Sequence, residues 1–321
     1  MAIPANTVLT FGMNGIREDL TDTITRISPM ETPFFSAARK EKANAQYHEW
    51  QKYDLAAAAT NAHPAGDDTA AGARNSTTRL GNRAQIMKKV ISTSGSAQAA
   101  PTAGRSNEQN FQVAMAAQEL KRDVEFNLIR SGASSAGATG TAATTGQLEN
   151  WLSTNNASKQ PGQTTPGFAS GNVGAVTDAA TANTTFVEAD LKTLLGNIWD
   201  AGGDPDVIMV NKFNKQQASS FSGIATQYRD NQDIGPAAII GSADIYVGDF
   251  GTVAIVPNRR QRESTVFALE MSKFAVAFYR PFKRETLAKT GDSTKEHIVG
   301  ELLLVSDNEA ASGKLADRAT A

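Results

Sequence analysis

The sequence predicts an α+β fold, on the evidence of helical patterns in its first two thirds and strand patterns after them. Apolar stripes at helical spacing run through residues 106–131 and 186–201. Residues 206–212 are a short, nearly all-apolar run of the kind that forms a buried strand, and residues 212–223 return to a helical pattern. From residue 242 onward, strand-like runs follow one another, separated by turns.

Length, charge and cysteine content limit the functions open to the chain. Its 321 residues allow one elaborate domain or two smaller ones. A net charge of −2 argues against a protein held on nucleic acid by bulk charge alone, while a local basic face stays compatible with it. The absence of cysteine excludes disulfides, thiolate catalysis, iron–sulfur clusters and cysteine-based zinc sites.

Neither a targeting segment nor a membrane span is evident. The first residues lack the basic and apolar parts of a secretory signal. No apolar run approaches the ~20 residues that a bilayer span needs. We therefore expect a soluble protein that is made inside a cell and has no membrane partner.

The first element is a leading arm with an apolar stripe that it cannot bury by itself. The stripe consists of Ile16, Leu20, Ile24 and Ile27. Steps of four, four and three place these side chains on one side of a helix. Pro29 ends that helix, because proline has no amide donor, and Pro33 repeats the stop.

An extended, aromatic stretch follows the arm and includes Tyr47, Trp50 and Tyr53. Residues 56–82 are rich in small and turn-forming residues and predict a long tip. Residues 83–96 resume a strand pattern, so we expect two strands joined by the tip to form a projecting hairpin. Since an isolated hairpin is marginally stable in water, it needs a partner surface.

Residues 106–131 are the clearest helix in the sequence. Ser106 is placed to cap its start, with Gln109 at the capping-box position. The predicted buried stripe is Val113, Ala117, Leu120, Val124 and Leu128. Gly132 lies just beyond the end, where a left-handed C-cap is common. Such a helix is roughly 39 Å long and predicts a spine on which other layers pack.

Residues 131–185 are mostly Gly, Ala, Ser, Thr and Asn and cannot build a core of their own. Their charged residues are Glu149, Lys159 and Asp178, and their one apolar cluster is Leu148, Trp151 and Leu152. We expect packing within an assembly to hold this segment in place.

Motifs for catalysis, metals and cofactors are missing. His48, His63 and His297 are far apart and lack metal-ligand spacing. Residues 291–295 lack the glycine pattern of a phosphate loop, and no nucleophile elbow is present. The sequence therefore predicts neither an enzyme nor a cofactor or metal site.

The densest basic cluster is Arg259, Arg260 and Arg262. It is compatible with contact to phosphate or to an acidic neighbour. It is equally compatible with a solvated loop.

The order of the elements and several local strings resemble the major capsid proteins of tailed bacteriophages. GIREDLTDTITRISPMETPFFS followed by HEWQKYDL resembles their N-terminal arm entering an extended loop. GQLENWL and EADLKTLLGNIWDAGGDPDVIMVN resemble their axial domain. DIYVGDFGTVAIVPNR and FKRETLAKTGDSTKEHIVGELLLVSDNEAASGKLAD resemble their C-terminal sheet segments. The resemblance extends over essentially the whole chain.

The resemblance implies the capsid fold shared by tailed phages and herpesviruses. Its parts are an N-terminal arm, an extended β-hairpin loop, a peripheral domain with a long spine helix, and an axial domain. The implied boundaries are 1–44 for the arm, 45–100 for the extended loop, 101–135 for the spine helix, 136–257 for the Gly/Ala-rich segment and axial domain, and 258–321 for C-terminal β segments that complete the peripheral and axial domains.

The implied function is that of a major capsid protein that forms hexamers and pentamers of an icosahedral shell around double-stranded DNA. The protein is then expected in the virion after assembly in the host cytoplasm. Its implied partners are copies of itself, a portal, decoration proteins and packaged DNA contacted without specificity. A separate scaffolding protein is also expected, because the chain begins directly with the arm.

The candidate contacts between copies are the apolar residues of the arm and hairpin. They are Ile16, Leu20, Ile24, Ile27, Tyr47, Trp50 and Tyr53. An encapsulin-type bacterial nanocompartment shell protein is the main alternative, since it would share the fold but enclose cargo enzymes. An enzyme or a carbohydrate-binding module is the alternative of a different class.

Overall fold

The computed structural model describes residues 31–66, 72, 74–100, 107–157, 162–179, 184–221 and 244–320. The helices are α1 (Pro33–Ala37), α2 (Gly95–Ala99), α3 (Glu108–Ile129), α4 (Leu148–Trp151), α5 (Glu188–Asp200) and α6 (Lys212–Ser219). The strands are β1 (Arg39–Lys42), β2 (Tyr47–Lys52), β3 (Thr78–Arg83), β4 (Gln85–Ser94), β5 (Asn156–Ala157), β6 (Phe168–Ala169), β7 (Asn172–Val173), β8 (Val207–Val210), β9 (Ile245–Gly248), β10 (Gly251–Pro257), β11 (Val266–Leu269), β12 (Phe274–Thr286), β13 (Ser293–Ser306) and β14 (Gly313–Leu315).

A four-stranded sheet with the order β1-β12-β13-β4 forms one layer, and α3 packs on it. The first described residues belong to this layer, because β1 pairs in parallel with β12 and Phe34 is fully buried. Pro33 begins α1 instead of repeating a stop, since the first position of a helix needs no amide donor. Pro29 and the stripe of the arm lie outside the described residues.

The hairpin is formed by β2 and β3, which pair antiparallel from Tyr47 opposite Arg83 to Lys52 opposite Thr78. The prediction that residues 83–96 supply the return strand is wrong. Most of those residues form β4, which pairs with β13 at the edge of the four-stranded sheet. The physical reason is the period-two pattern of β4, because Met87 and Ile91 bury their side chains in the core that this sheet shares with α3.

The long helix α3 has 22 residues and is therefore about 33 Å long. Its cap is Asn107, whose Oδ1 accepts a backbone N–H of the first turn at 2.9 Å. The predicted cap, Ser106, lies outside the described residues. No left-handed C-cap forms at Gly132, because the chain becomes extended at Arg130.

The buried face of α3 confirms most of the predicted stripe. Its buried apolar residues are Ala116, Leu120, Val124, Leu128 and Ile129. Ala117, which the stripe included, is exposed, and Ala116 takes its place. The spacing of the apolar residues thus predicts the buried face of α3 correctly and errs only at Ala117.

The Gly/Ala-rich segment packs on its own chain through the predicted apolar cluster. Leu148, Trp151 and Leu152 are buried in the same core as α3. The ring of Trp151 stacks on that of Phe168 with centroids 5.7 Å apart. The described part of this segment is therefore held by intramolecular contacts, which the sequence did not predict.

A six-stranded sheet with the order β5-β14-β11-β8-β10-β9 forms the second large layer. The stripe of α5 covers one face of it, as the pattern of residues 186–201 predicts. The opposite face contributes Met209, Phe267 and Leu269 to the core around α3. The two layers consequently share apolar packing, and the C-terminal strands are divided between them.

Candidate functional site

Among the described residues, large apolar side chains stay exposed at the edge of the six-stranded sheet. Trp199 at the end of α5 is 59% exposed, and its ring lies 5.7 Å from that of Phe250, which is 41% exposed. We call this pair the Trp199 patch. Water covers more than half of a tryptophan there, which is a feature of surfaces that bind other proteins.

The edge strand β9 is the second feature of this region. It pairs with β10 on one side, and no described strand pairs with its other side. Tyr246 points into the core, whereas Ile245 and Val247 are exposed on the opposite face. Edge strands with exposed apolar side chains can pair with or pack against another chain.

The edge strand β4 of the four-stranded sheet shows the same pattern. Ile86 and Val90 are more than half exposed, whereas the residues that follow each of them, Met87 and Ile91, are buried. Both large sheets therefore present an apolar edge to the outside. Tyr53, beyond the end of β2, adds a 48% exposed aromatic side chain.

The structure places the other predicted contact residues of the hairpin differently. The indole N–H of Trp50 donates to the carbonyl of Ser306 at 3.0 Å, and its ring lies 5.6 Å from that of Trp151. The hydroxyl of Tyr47 donates to the carbonyl of Gly171 at 3.0 Å. The sequence predicts a hairpin that projects from the main body, whereas the structure packs these two side chains on their own subunit.

The candidate contacts of the arm lie outside the described residues, so their role between copies stays a prediction. Contacts of Tyr47, Trp50 and Tyr53 with other copies also stay a prediction. Within the hairpin, the structure separates residues that contact the subunit from one that is exposed. Tyr47 and Trp50 fix it to the subunit, and Tyr53 is free for another surface.

A buried carboxylate connects three segments of the subunit. Glu125 on α3 accepts the backbone N–H groups of Phe34 at 2.9 Å and Phe35 at 2.7 Å. It also accepts the side-chain amide of Asn258 at 2.6 Å. Burial raises the pKa of this carboxyl, although the three donors act in the opposite direction. One side chain thus ties α1 and the loop after β10 to the spine helix.

A second buried network links the Gly/Ala-rich segment to the six-stranded sheet. The ammonium of Lys314 donates to the carbonyl of Glu149 at 2.8 Å. Arg262 donates to the carboxylate of Glu149 at 2.9 Å and also contacts Asp178. Burial lowers the pKa of Lys314 to about 8 and raises that of Glu149.

Sequence reasoning missed this network, although a signal was available. Glu149 and Asp178 are two of the few charges in a long neutral segment. An isolated charged residue in such a segment indicates a partner of opposite charge elsewhere in the fold. Buried charges need such partners, since an unpaired one is costly.

The described residues contain no cluster of acidic and histidine side chains that could hold a metal ion. His48 lies beside Trp50, His63 beside Asn61, and His297 beside Glu285. No helix in the described part of the chain is both long and apolar enough to cross a bilayer. The features that stand out chemically are thus surfaces and structural networks.

Comparison with known proteins supports a single interpretation. The model of the SU10 major capsid protein family matches residues 3–319. A major capsid protein of Escherichia phage Phieco32 is 26% identical, with 96% of each chain covered.

Solved phage capsids share the fold. The capsid of cyanophage A-1(L) matches with a TM-score of 0.65 and 13% identity over 95% of this chain and 98% of that one. The capsid of cyanophage P-SCSP1u matches with a TM-score of 0.62 and 10% identity over 99% of this chain and 100% of that one. The predicted α+β capsid fold is confirmed.

Proposed function

The chain belongs to the SU10 major capsid protein family, and we propose that its copies form hexamers and pentamers of an icosahedral head around double-stranded DNA. It is a major capsid protein of tailed phages, and the family match over nearly the whole chain carries this conclusion. The exposed apolar edges of both sheets support the proposal of assembly, because a shell protein must bury such surfaces against neighbouring copies.

The Trp199 patch, the outer edges of β9 and β4, and Tyr53 are the contact surfaces we assign to assembly. Burial of apolar area contributes about 25 cal/mol per Å² to the free energy of association. Part of this contribution offsets the translational and rotational entropy that the subunits lose. Several modest contacts per subunit then suffice, because each copy in a shell has several neighbours. Ile16, Leu20, Ile24 and Ile27 are proposed as further contacts from the arm.

We assign the two large layers to two of the proposed domains. The four-stranded sheet with α3 is assigned to the peripheral domain, and the six-stranded sheet with α5 and α6 to the axial domain. The hairpin of β2 and β3 is assigned to the extended loop, shorter than the proposed 45–100. This assignment rests on the resemblance of the fold and on the position of the spine helix.

The other partners are proposed from the family resemblance alone. We assign a scaffolding protein, a portal, decoration proteins and non-specific contact with packaged DNA, with assembly in the host cytoplasm. A nanocompartment shell is not favoured, because the relatives found are phage capsid proteins. No catalytic role is proposed for a member of this structural family.

Electron microscopy and sedimentation of the purified protein test the proposal. The expected result is closed shells with five- and six-fold clusters of subunits, formed alone or with the scaffolding partner. A 34.0 kDa monomer under all these conditions would contradict it. Open sheets without five-fold clusters would contradict the icosahedral geometry alone.

A further inference from the structure

A cavity of about 520 Å³ lies between the end of α3 and the loop that follows β10. Arg130 and Phe126 of α3 form one wall, and Arg259, Arg260 and Arg262 form another. Four of its lining side chains are guanidinium groups, and one, that of Glu263, is a carboxylate. The proposed shell function uses none of them, so the cavity needs an explanation of its own.

The arginines differ in how far their charges are compensated. Arg262 is fully engaged by Glu149 and Asp178 and has a structural role. Arg259 makes only an exposed contact of 3.4 Å with Glu31, which contributes little in water. For Arg130 and Arg260, the described part of the chain supplies no carboxylate within ion-pair distance.

The two uncompensated groups differ in their surroundings. The guanidinium of Arg130 lies over the ring of Phe126, 4.5 Å from its centroid. The Nε atom of Arg260 is shielded from solvent and has no hydrogen-bond partner in the described structure. A buried donor without a partner is costly, and a bound water or an anion would satisfy it.

The loop is held in place, unlike a solvated loop. The Asn258 side chain accepts the backbone N–H of Arg260 at 2.9 Å and donates to Glu125. Gln261 is buried, and its side-chain amide donates to the carbonyls of Met209 and Thr265. The cavity is therefore formed before any ligand arrives, which lowers the ordering cost of binding.

We propose that this cavity is an oxyanion site in which Arg130 and Arg260 bind a phosphate group, with Arg259 at the rim. The planar guanidinium presents N–H groups in a fork that matches two phosphate oxygens. The phosphate belongs either to a small free polyphosphate or to the backbone of a nucleic acid. The shell function does not depend on the site.

Calorimetric titration of the purified protein with inorganic pyrophosphate, at constant ionic strength, tests the proposal. The Arg130→Gln/Arg260→Gln double variant should weaken binding at least about tenfold, since charged hydrogen bonds are lost. The control Arg74→Gln/Arg79→Gln also removes two charges, both from exposed positions on or just before β3. It should leave binding unchanged.

A second variant keeps the test valid if the glutamines disturb folding. Arg130→Lys/Arg260→Lys retains both charges but loses the forked geometry, so its affinity should fall below that of the wild type. Full affinity in either double variant would overturn the site.

The probe identifies the source of the phosphate. Binding of pyrophosphate indicates a free compound, and binding of a short DNA duplex alone, equally sensitive to the variants, indicates a backbone. Binding of a poly-glutamate peptide but of neither phosphate probe would overturn the proposal. Micrographs of the same samples report shells independently, so a wild-type protein that forms intact shells but binds neither phosphate probe counts against this site only.

Discussion

At the scale of single residues, Lys314 places an amine where the fold excludes water. Its side chain is fully buried, and burial lowers its pKa to about 8 from an ordinary value of 10.5. Between these two values the unfolded chain binds more protons than the folded chain. The contribution of Lys314 to stability therefore rises with pH in this window and is least favourable below pH 8.

We predict that Lys314→Met removes this pH dependence while preserving most of the buried volume. Relative to the variant, the free energy of unfolding of the wild-type subunit should rise by up to about 1.4 kcal/mol per pH unit between pH 8 and 10.5. Denaturant titrations at several pH values measure the difference. Parallel pH profiles for the two proteins would contradict the prediction. Lys283→Met is the control, because that lysine is exposed.

Trp50 is the residue whose assigned role the structure changes most. Since its indole donates to Ser306 and packs beside Trp151, Trp50→Ala should lower the free energy of unfolding of the subunit by about 2–4 kcal/mol. Thermal or denaturant unfolding of unassembled protein measures this loss. Unchanged subunit stability with impaired assembly would contradict this role and would support Trp50 as a contact between copies.

At the scale of elements, the turn between α5 and β8 fixes how closely the chain approaches the short 3-10 turn Glu309–Ala311. A Cβ atom on Gly203 would lie 2.5 Å from the carbonyl oxygen of Ala311. That neighbour is backbone and cannot rotate away. Glycine is required there by proximity, since its φ is not in the left-handed region.

We expect Gly203→Ala to destabilise the subunit by about 1–3 kcal/mol, because the backbone must shift to admit the methyl group. Gly72→Ala is the matched control, since nothing lies within 4 Å of its added Cβ. Differential scanning calorimetry of both variants measures the effect. Equal melting temperatures would show that the turn can relax at no cost.

The hairpin illustrates the limits of local pattern at this scale. Residues 83–96 have a strand pattern, and most of them do form strand β4. Their predicted partner was the first strand of the hairpin, whereas β4 pairs with β13. A strand pattern states which side chains are buried and not which strand lies beside it. Only the presence of β13 and α3 decides that β4 pairs there.

At the scale of the whole molecule, assembly depends on surfaces that contribute little to the isolated subunit. Trp199 is the clearest example, since its side chain is mostly exposed and its ring lies beside that of Phe250. A shell multiplies the effect of each such contact over many copies. A small change on the subunit can therefore produce a large change in the particle.

We predict that Trp199→Ala raises the protein concentration needed for assembly at least about tenfold, because about 1.4 kcal/mol or more is lost per contact. The stability of the subunit should change by less than about 1 kcal/mol, as is usual for exposed positions. Light scattering against concentration measures assembly. Trp199→Phe is the control that keeps most of the apolar surface, and equal assembly of Trp199→Ala and wild type would contradict the prediction.

The sequence by itself determined the class of fold, the spine helix, the buried stripes of α3 and α5, and the run of C-terminal strands. These features depend on the spacing of apolar residues along the chain, which is a local property of the sequence. It also supplied the resemblance that led to the capsid proteins. It located the charged residues Glu149 and Asp178 without revealing their function.

Only the tertiary structure decided the partner of β4, the inward position of Trp50, the networks around Glu125 and Lys314, and the cavity of Arg130 and Arg260. Each of these brings together residues that are distant in sequence, as Glu125 is from Phe34 and Asn258. Burial and pairing depend on what lies across space, and local pattern does not contain that information.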